Sequence, residues 1–219
     1  MGRKLIIPLL ALLLLLSQNM SAQNNHNWDI TLVDKLNHKG VSSNTWIQPY
    51  SNSVIYMTAA TPILFATKPL FEKKEDKWKK CLFELGAMSS GLVVNNLVTF
   101  QMKKAFERAR PFDAYPNLIY PAYRPTDYSF PSGHTSGAFQ WATTMVLYSK
   151  FHYGKSPWWI SVPVYAYAGS IAWSRMAMGV HYPTDVLAGA IIGSCSSWIS
   201  WKLTHKCFEH YSRNRATRT

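Results

Sequence analysis

Cysteine and acidic side chains are scarce in this chain, and long uninterrupted apolar runs are missing. Cys81, Cys195 and Cys207 are an odd set without CxxC spacing, so no structural disulfide is expected. Asp and Glu total 11 against 23 Lys and Arg, a formal charge of +12 over 219 residues. The few acids do not gather into an oxygen cage for a metal ion. No zinc-finger, helix-turn-helix or ribonucleoprotein signature is present, and the basic residues form short clusters between apolar stretches. That distribution suits loops at a membrane better than a nucleic-acid face, and nucleic acid is not an expected partner. There is no internal repeat.

What is present is apolar surface: 47% of the residues are hydrophobic, enough for one domain with a full core. Met1 to Lys4 is a basic start, Leu5 to Leu16 an apolar run, and Ser17 to Ala22 a small-residue exit. These describe a signal peptide over residues 1–22, or an uncleaved first membrane helix. Residues 23–52 are polar, Asn-rich and expected to be mobile or lightly structured. Five apolar segments follow, at about 53–71, 81–102, 134–151, 157–174 and 185–203. Interrupting residues such as Pro62, Glu84, Asn95 and Asn96 keep a soluble helical bundle open as an alternative.

The charges favour the membrane. Lys73, Lys74, Lys77, Lys79 and Lys80 fall in one linker, Lys150 and Lys155 flank another, and Lys202, Lys206, Arg213, Arg215 and Arg218 fill the tail. With residue 23 outside, all of them land in the cytoplasm. The expected architecture is therefore all-α: a multi-pass transmembrane bundle of five helices after a cleaved signal, or six if it is uncleaved. Gly189 and Gly193 form a GxxxG suited to close helix packing inside that bundle.

Three polar segments stand at the outer ends of these helices. Lys103 and Arg110 are seven residues apart, which on one helix puts both on the same face, with Pro111 ending the helix. Two cations there suit a doubly charged phosphoryl group, and Arg can grip it bidentately; Lys104 and Arg108 nearby read as a solvated basic face. Pro131-Ser132-Gly133-His134 precedes an apolar helix. Ser132 can cap that helix, Gly133 allows close approach, and the free N–H groups make an anion site. In Ser174-Arg175, His181 and Asp185, the carboxylate four residues on can reach back to one imidazole nitrogen and fix its tautomer. Pro183 fits the first turn of the last helix.

In order and spacing these segments match the signature of the type 2 phosphatidic acid phosphatase superfamily: Lys, six residues, Arg-Pro; Pro-Ser-Gly-His; Ser-Arg, five residues, His, three residues, Asp. The chain resembles that family from about Lys103 to Gly193, and Gly179 to Gly189 resembles its lipid-phosphatase branch. The resemblance implies a family domain over 53–205 with a basic tail at 206–219. It implies His181 as nucleophile, Asp185 as its orienting carboxylate and His134 as general acid and base. Lys103, Arg110, Arg175, Ser132 and the Gly133 N–H would hold the phosphate, with no metal and no cofactor. The substrate would be a membrane lipid phosphate or diphosphate: phosphatidate, phosphatidylglycerol phosphate, undecaprenyl diphosphate or a lipid A phosphate. The site would face the periplasm from the inner membrane. A soluble periplasmic acid phosphatase, a vanadate-dependent haloperoxidase and a non-catalytic binder of lipid phosphate are alternatives. The Pro- and Tyr-rich stretch from Phe112 to Phe130 reads as an outer loop shaping head-group access, with Arg124 as a further phosphate contact.

Overall fold

The computed structural model describes residues 28–38, 45–71 and 77–216. The signal peptide expected over 1–22 and linker residues Lys73 and Lys74 lie outside the described residues. Every regular element among the described residues is helical: α1 (Trp28–Leu36), α2 (Ile47–Phe71), α3 (Lys77–Phe106), α4 (Pro111–Ala114), α5 (Gly133–Tyr153), α6 (Trp158–Ala177) and α7 (Pro183–Ala216).

The all-helical expectation holds, but several boundaries move. The segment read as lightly structured contains α1 and the first turn of α2. Ile30 and Val33 of α1 are buried with Ile47, Phe112, Met178, Val180 and Tyr182, and that burial holds a helix too short to stand alone. At the other end α7 continues past residue 203. Phe208 packs on Phe83 with ring centroids 5.1 Å apart, which extends the helix through the basic tail.

The five long helices alternate in direction. One end gathers the starts of α2, α5 and α7 with the ends of α3 and α6, tied by Asn52 to His134 and Ser51 to Arg175. At the far end Glu84 meets His152, and Phe83 packs on Phe151 and Trp201. With 21 and 20 residues, α5 and α6 are each about 30 Å long, close to the hydrocarbon thickness of a bilayer. Two stretches, Lys77–Ala114 and Pro183–Tyr211, are long and apolar enough to cross a membrane by length and composition.

Polar contacts run between the helices beside three buried apolar clusters, and large apolar side chains also face outward. Buried Gln140 donates to Thr144, and the Thr144 hydroxyl bonds Ser197; Asn95 and Thr99 meet Ser136. Meanwhile Ile63, Leu64, Leu82, Leu97, Trp158 and Leu203 are exposed. Small and hydroxylated residues between helices, with large apolar residues facing out, are the arrangement expected of helices packed in lipid.

Gly189 and Gly193 lie at the crossing of α5 and α7. A Cβ on Gly193 would sit 2.0 Å from the Ser136 carbonyl oxygen, and one on Gly189 would sit 2.6 Å from that of Ser132. The backbones therefore touch where the two site-bearing turns begin, and the glycine pair serves the bundle itself.

Candidate active site

The helix expected to carry Lys103 and Arg110 together ends early. α3 stops at Phe106, Glu107 takes a positive φ of 45°, and Arg110 is extended before Pro111. The residue before a proline avoids the helical region. Arg108 also turns inward rather than staying on a solvated face. The two phosphate-binding candidates still converge, through a partner the sequence did not mark. Asp127 of the outer loop accepts from Arg110 at 2.5 Å and pairs with Lys103 at 3.0 Å. Burial raises the Asp127 pKa, but Lys103 and Arg110 outweigh it and hold the carboxyl at about 2.

The Pro-Ser-Gly-His turn forms as the sequence predicts. Ser132 caps α5, its Oγ accepting from the Thr135 N–H at 3.4 Å and lying 2.9 Å from the Thr135 hydroxyl. Its backbone N–H donates to the Asp185 carbonyl at 3.0 Å, which joins this turn to the start of α7. Gly133 begins the helix and offers first-turn N–H groups. His134 Nε2 lies 2.9 Å from Asn52 Oδ1 of α2.

His181 is fully enclosed between α6 and α7, and its two ring nitrogens have different neighbours. Nε2 lies 3.3 Å from Nη1 of Arg110. A guanidinium only donates, so Nε2 holds a lone pair and the proton of the neutral ring sits on Nδ1. Nδ1 lies 3.5 Å from Asp185 Oδ2, longer than a hydrogen bond, and is a buried nitrogen without a hydrogen-bond partner. Burial, then Arg110, Arg175 and Lys103, with His134 adding to them, push the His181 pKa well below its ordinary value. The ring is therefore neutral at physiological pH, with its lone pair aimed among cations.

Asp185 is itself saturated. Oδ2 accepts from the Ser129 hydroxyl at 2.5 Å and the Tyr182 N–H at 2.9 Å, and Oδ1 accepts from Arg108 at 2.5 Å. Arg175 is buried at the end of α6. It donates to Ser51 Oγ at 3.1 Å and to the Tyr123 hydroxyl, while its Nε has no partner. Arg124 is exposed and stacks 5.2 Å from the Phe112 ring centroid.

The structure thus brings together Lys103, Arg110, Ser132, Gly133, His134, Arg175, His181 and Asp185. It adds Arg108, Tyr123, Asp127 and Ser129, together with Asp29, Ser51 and Asn52 from the N-terminal segment. None of the added residues stands in a local pattern, and only the inward turn of the chain after Phe106 exposes the role of Arg108. Among the described residues no group of three or more His, Cys, Asp or Glu could hold a metal ion. A groove of about 390 Å³ opens beside His134 between α2 and α3, with Val54, Ile55, Ala59, Leu92 and Gly137 on its walls.

The sequence model of the PAP2 superfamily matches residues 84–209. An undecaprenyl-diphosphatase of Sulfolobus acidocaldarius is 36% identical over 102 residues, which cover 45% of this chain and 44% of that protein. This chain therefore aligns with less than half of the Sulfolobus protein. A lipid A 4'-phosphatase of Bacteroides thetaiotaomicron is 24% identical over 180 residues, 76% of this chain and 73% of that protein. The fold is similar to the crystal structure of Aquifex aeolicus LpxE, with a TM-score of 0.58 and 24% identity over 79% of this chain and 92% of that one. It is also similar to a transmembrane PAP2-type phosphatidylglycerolphosphate phosphatase from Bacillus subtilis, with a TM-score of 0.61 and 18% identity over 91% and 96%.

Proposed function

The chain belongs to the PAP2 superfamily of phosphatases, and on that premise we propose that it removes phosphate from a membrane lipid phosphate or diphosphate through a phosphohistidine at His181. One observation carries the reading: a neutral, buried imidazole whose unprotonated Nε2 faces Arg110, 3.3 Å away. Lys103, Arg110 and Arg175 supply fixed positive charge for the equatorial oxygens of a transferring phosphoryl group, and the first turn of α5 at Gly133 adds N–H donors. Ser132 shapes that turn.

The chemistry balances in two steps. In the first, His181 Nε2 attacks the terminal phosphorus, the N–P bond forms, and the bond from that phosphorus to the leaving oxygen breaks as that oxygen takes a proton from His134; the leaving group is a lipid alcohol from a monophosphate and a lipid monophosphate from a diphosphate. The Nδ1 proton stays on the ring facing Asp185, whose charge stabilises the cationic phosphohistidine. In the second, His134 takes a proton from water as the water oxygen attacks phosphorus. The N–P bond breaks, inorganic phosphate leaves, and His181 is neutral again.

The leaving oxygen departs with the lipid, directly or through an inner phosphate, and the apolar groove beside His134 is the natural seat for the lipid chain. The outward apolar belt supports a multi-pass membrane location. Lys79, Lys80, Lys150, Lys155, Lys202 and Lys206 stand at the end of the bundle away from the site, which supports a periplasmic site. The test is phosphate release from a panel of lipid phosphates and diphosphates in detergent, with chelator and with vanadate, for wild type and His181→Ala. Wild type should release phosphate in chelator, be inhibited by vanadate and yield an acid-labile phosphoprotein that His181→Ala lacks. Full turnover in His181→Ala rejects the nucleophile assignment, and loss of activity in chelator rejects the metal-free mechanism. An active protein that needs no detergent and ignores lipids would point to a soluble acid phosphatase.

A further inference from the structure

We propose that Asp29 of α1, acting through Arg108, is a positioning residue for the nucleophile, and so that the N-terminal segment is part of the catalytic machinery. The inference rests on the reading of His181 as nucleophile. Arg108 is one of the six unspecified residues between Lys103 and Arg110 in the signature, and Asp29 stands outside both the signature and the stretch matched by the family model.

The geometry is a three-part ion network. Arg108 directs Nη1 to Asp185 Oδ1 at 2.5 Å and Nη2 to Asp29 Oδ2 at 2.7 Å. The guanidinium lies over the Tyr182 ring, 3.8 Å from its centroid, which fixes its plane. Asp29 also accepts from the Thr184 N–H at 3.0 Å and the Thr184 hydroxyl at 2.6 Å, binding the residue next to Asp185. The Asp29 side chain is 4% exposed and that of Asp185 is fully buried.

The network does two things for His181. Arg108 pins Oδ1 of Asp185, which leaves Oδ2 as the oxygen nearest the Nδ1–H of His181. It also brings a full positive charge against the carboxylate that must stabilise a cationic phosphohistidine. Alone, that charge would cancel Asp185. Asp29 takes the other half of the Arg108 fork, so two carboxylates share one guanidinium and the group retains a net negative charge toward His181.

The experiment uses the full-length enzyme in detergent with a short-chain lipid phosphate, comparing wild type, Asp29→Asn, Arg108→Gln, the double variant and His181→Ala. Asn keeps the shape of Asp29 and an acceptor for Thr184 while removing its charge. Asp29→Asn should lower kcat roughly 10- to 100-fold, as expected when a reacting group is misplaced or understabilised, with KM within about twofold. The double variant should be no slower than Arg108→Gln alone, since both changes break one path. An Asp29→Asn enzyme with unchanged kcat and a lowered melting temperature overturns the inference and leaves Asp29 as a structural clamp. Additive losses overturn it as well. If His181→Ala turns over normally, the nucleophile reading fails and takes this inference with it; an inactive His181→Ala beside an unimpaired Asp29→Asn rejects the inference alone.

Discussion

Asp127 occupies the two cations that a substrate phosphate would need, so Asp127→Asn should tighten the binding of phosphate. The magnitude follows from the site. Lys103 and Arg110 draw the carboxyl from an ordinary 3.8 down to about 2, a change of roughly 2.5 kcal/mol at about 1.4 kcal/mol per tenfold change in proton affinity. The side chain is 56% exposed, so solvent screening reduces this to roughly 1 kcal/mol. A phosphoryl group that must displace Asp127 therefore binds about fivefold more weakly than it would to the same cations left open. Asp127→Asn removes the competing charge while keeping the side-chain shape. The inhibition constant for inorganic phosphate, measured at pH 7 against a lipid phosphate, should fall about fivefold with little change in kcat. The sign with pH is fixed as well: the folded-state pKa is depressed, so the ion pairs are complete above about 4 and are lost as pH falls toward 2. The fivefold advantage of the variant should hold across the neutral range. An unchanged or weaker inhibition constant refutes the argument and makes Asp127 an organiser of the two cations rather than their occupant.

Two further predictions come from the bundle and the nucleophile. Gly193→Ala places a methyl group against the Ser136 carbonyl and should destabilise the protein by roughly 1–3 kcal/mol, whereas Gly169→Ala, where nothing lies within 4 Å of the added carbon, should be neutral; thermal aggregation in detergent compares them. Burial and the surrounding cations depress His181 well below its ordinary value of 6.5, so its protonation should produce no acid limb in kcat/KM near 6.5, and such a limb persisting in His134 variants would contradict that. Above about 6.5 the ring is neutral in both the folded and the unfolded chain; as pH falls below that, the unfolded chain takes up the proton first, and the fold loses stability until the depressed folded-state value is reached.

The parts of the site that lie close in sequence were legible. Ser132 caps α5 and Pro183 opens α7, because caps and first-turn prolines act within a few residues. The glycines at 189 and 193 pointed to a close helix crossing for the same reason. The course of the chain after Phe106 was not legible. Heptad spacing put Lys103 and Arg110 on one face, but α3 stops at Phe106 and Arg108 turns in to pair with Asp29 and Asp185. Those carboxylates lie 79 and 77 residues away in sequence. Asp127, Ser51 and Asn52 escaped notice similarly, since a lone polar residue in a loop or first turn carries no period. The helix at Trp28–Leu36 was missed within a segment read as mobile or lightly structured, because two buried aliphatics, Ile30 and Val33, are too few to show a helical repeat.

The contact of α5 with α7 through bare glycine has a consequence for how such an enzyme can diversify. His134 and His181 ride on the two turns joined at that contact, so they form a chassis whose dimensions tolerate almost no change. On the groove walls, Ile55 and Ala59 of α2 are exposed, whereas Val54 packs in the buried core. On the proposed function, exchanges at Ile55 and Ala59 would retune the hydrophobic partner of the phosphate while the glycine contact keeps α5 and α7 in fixed register.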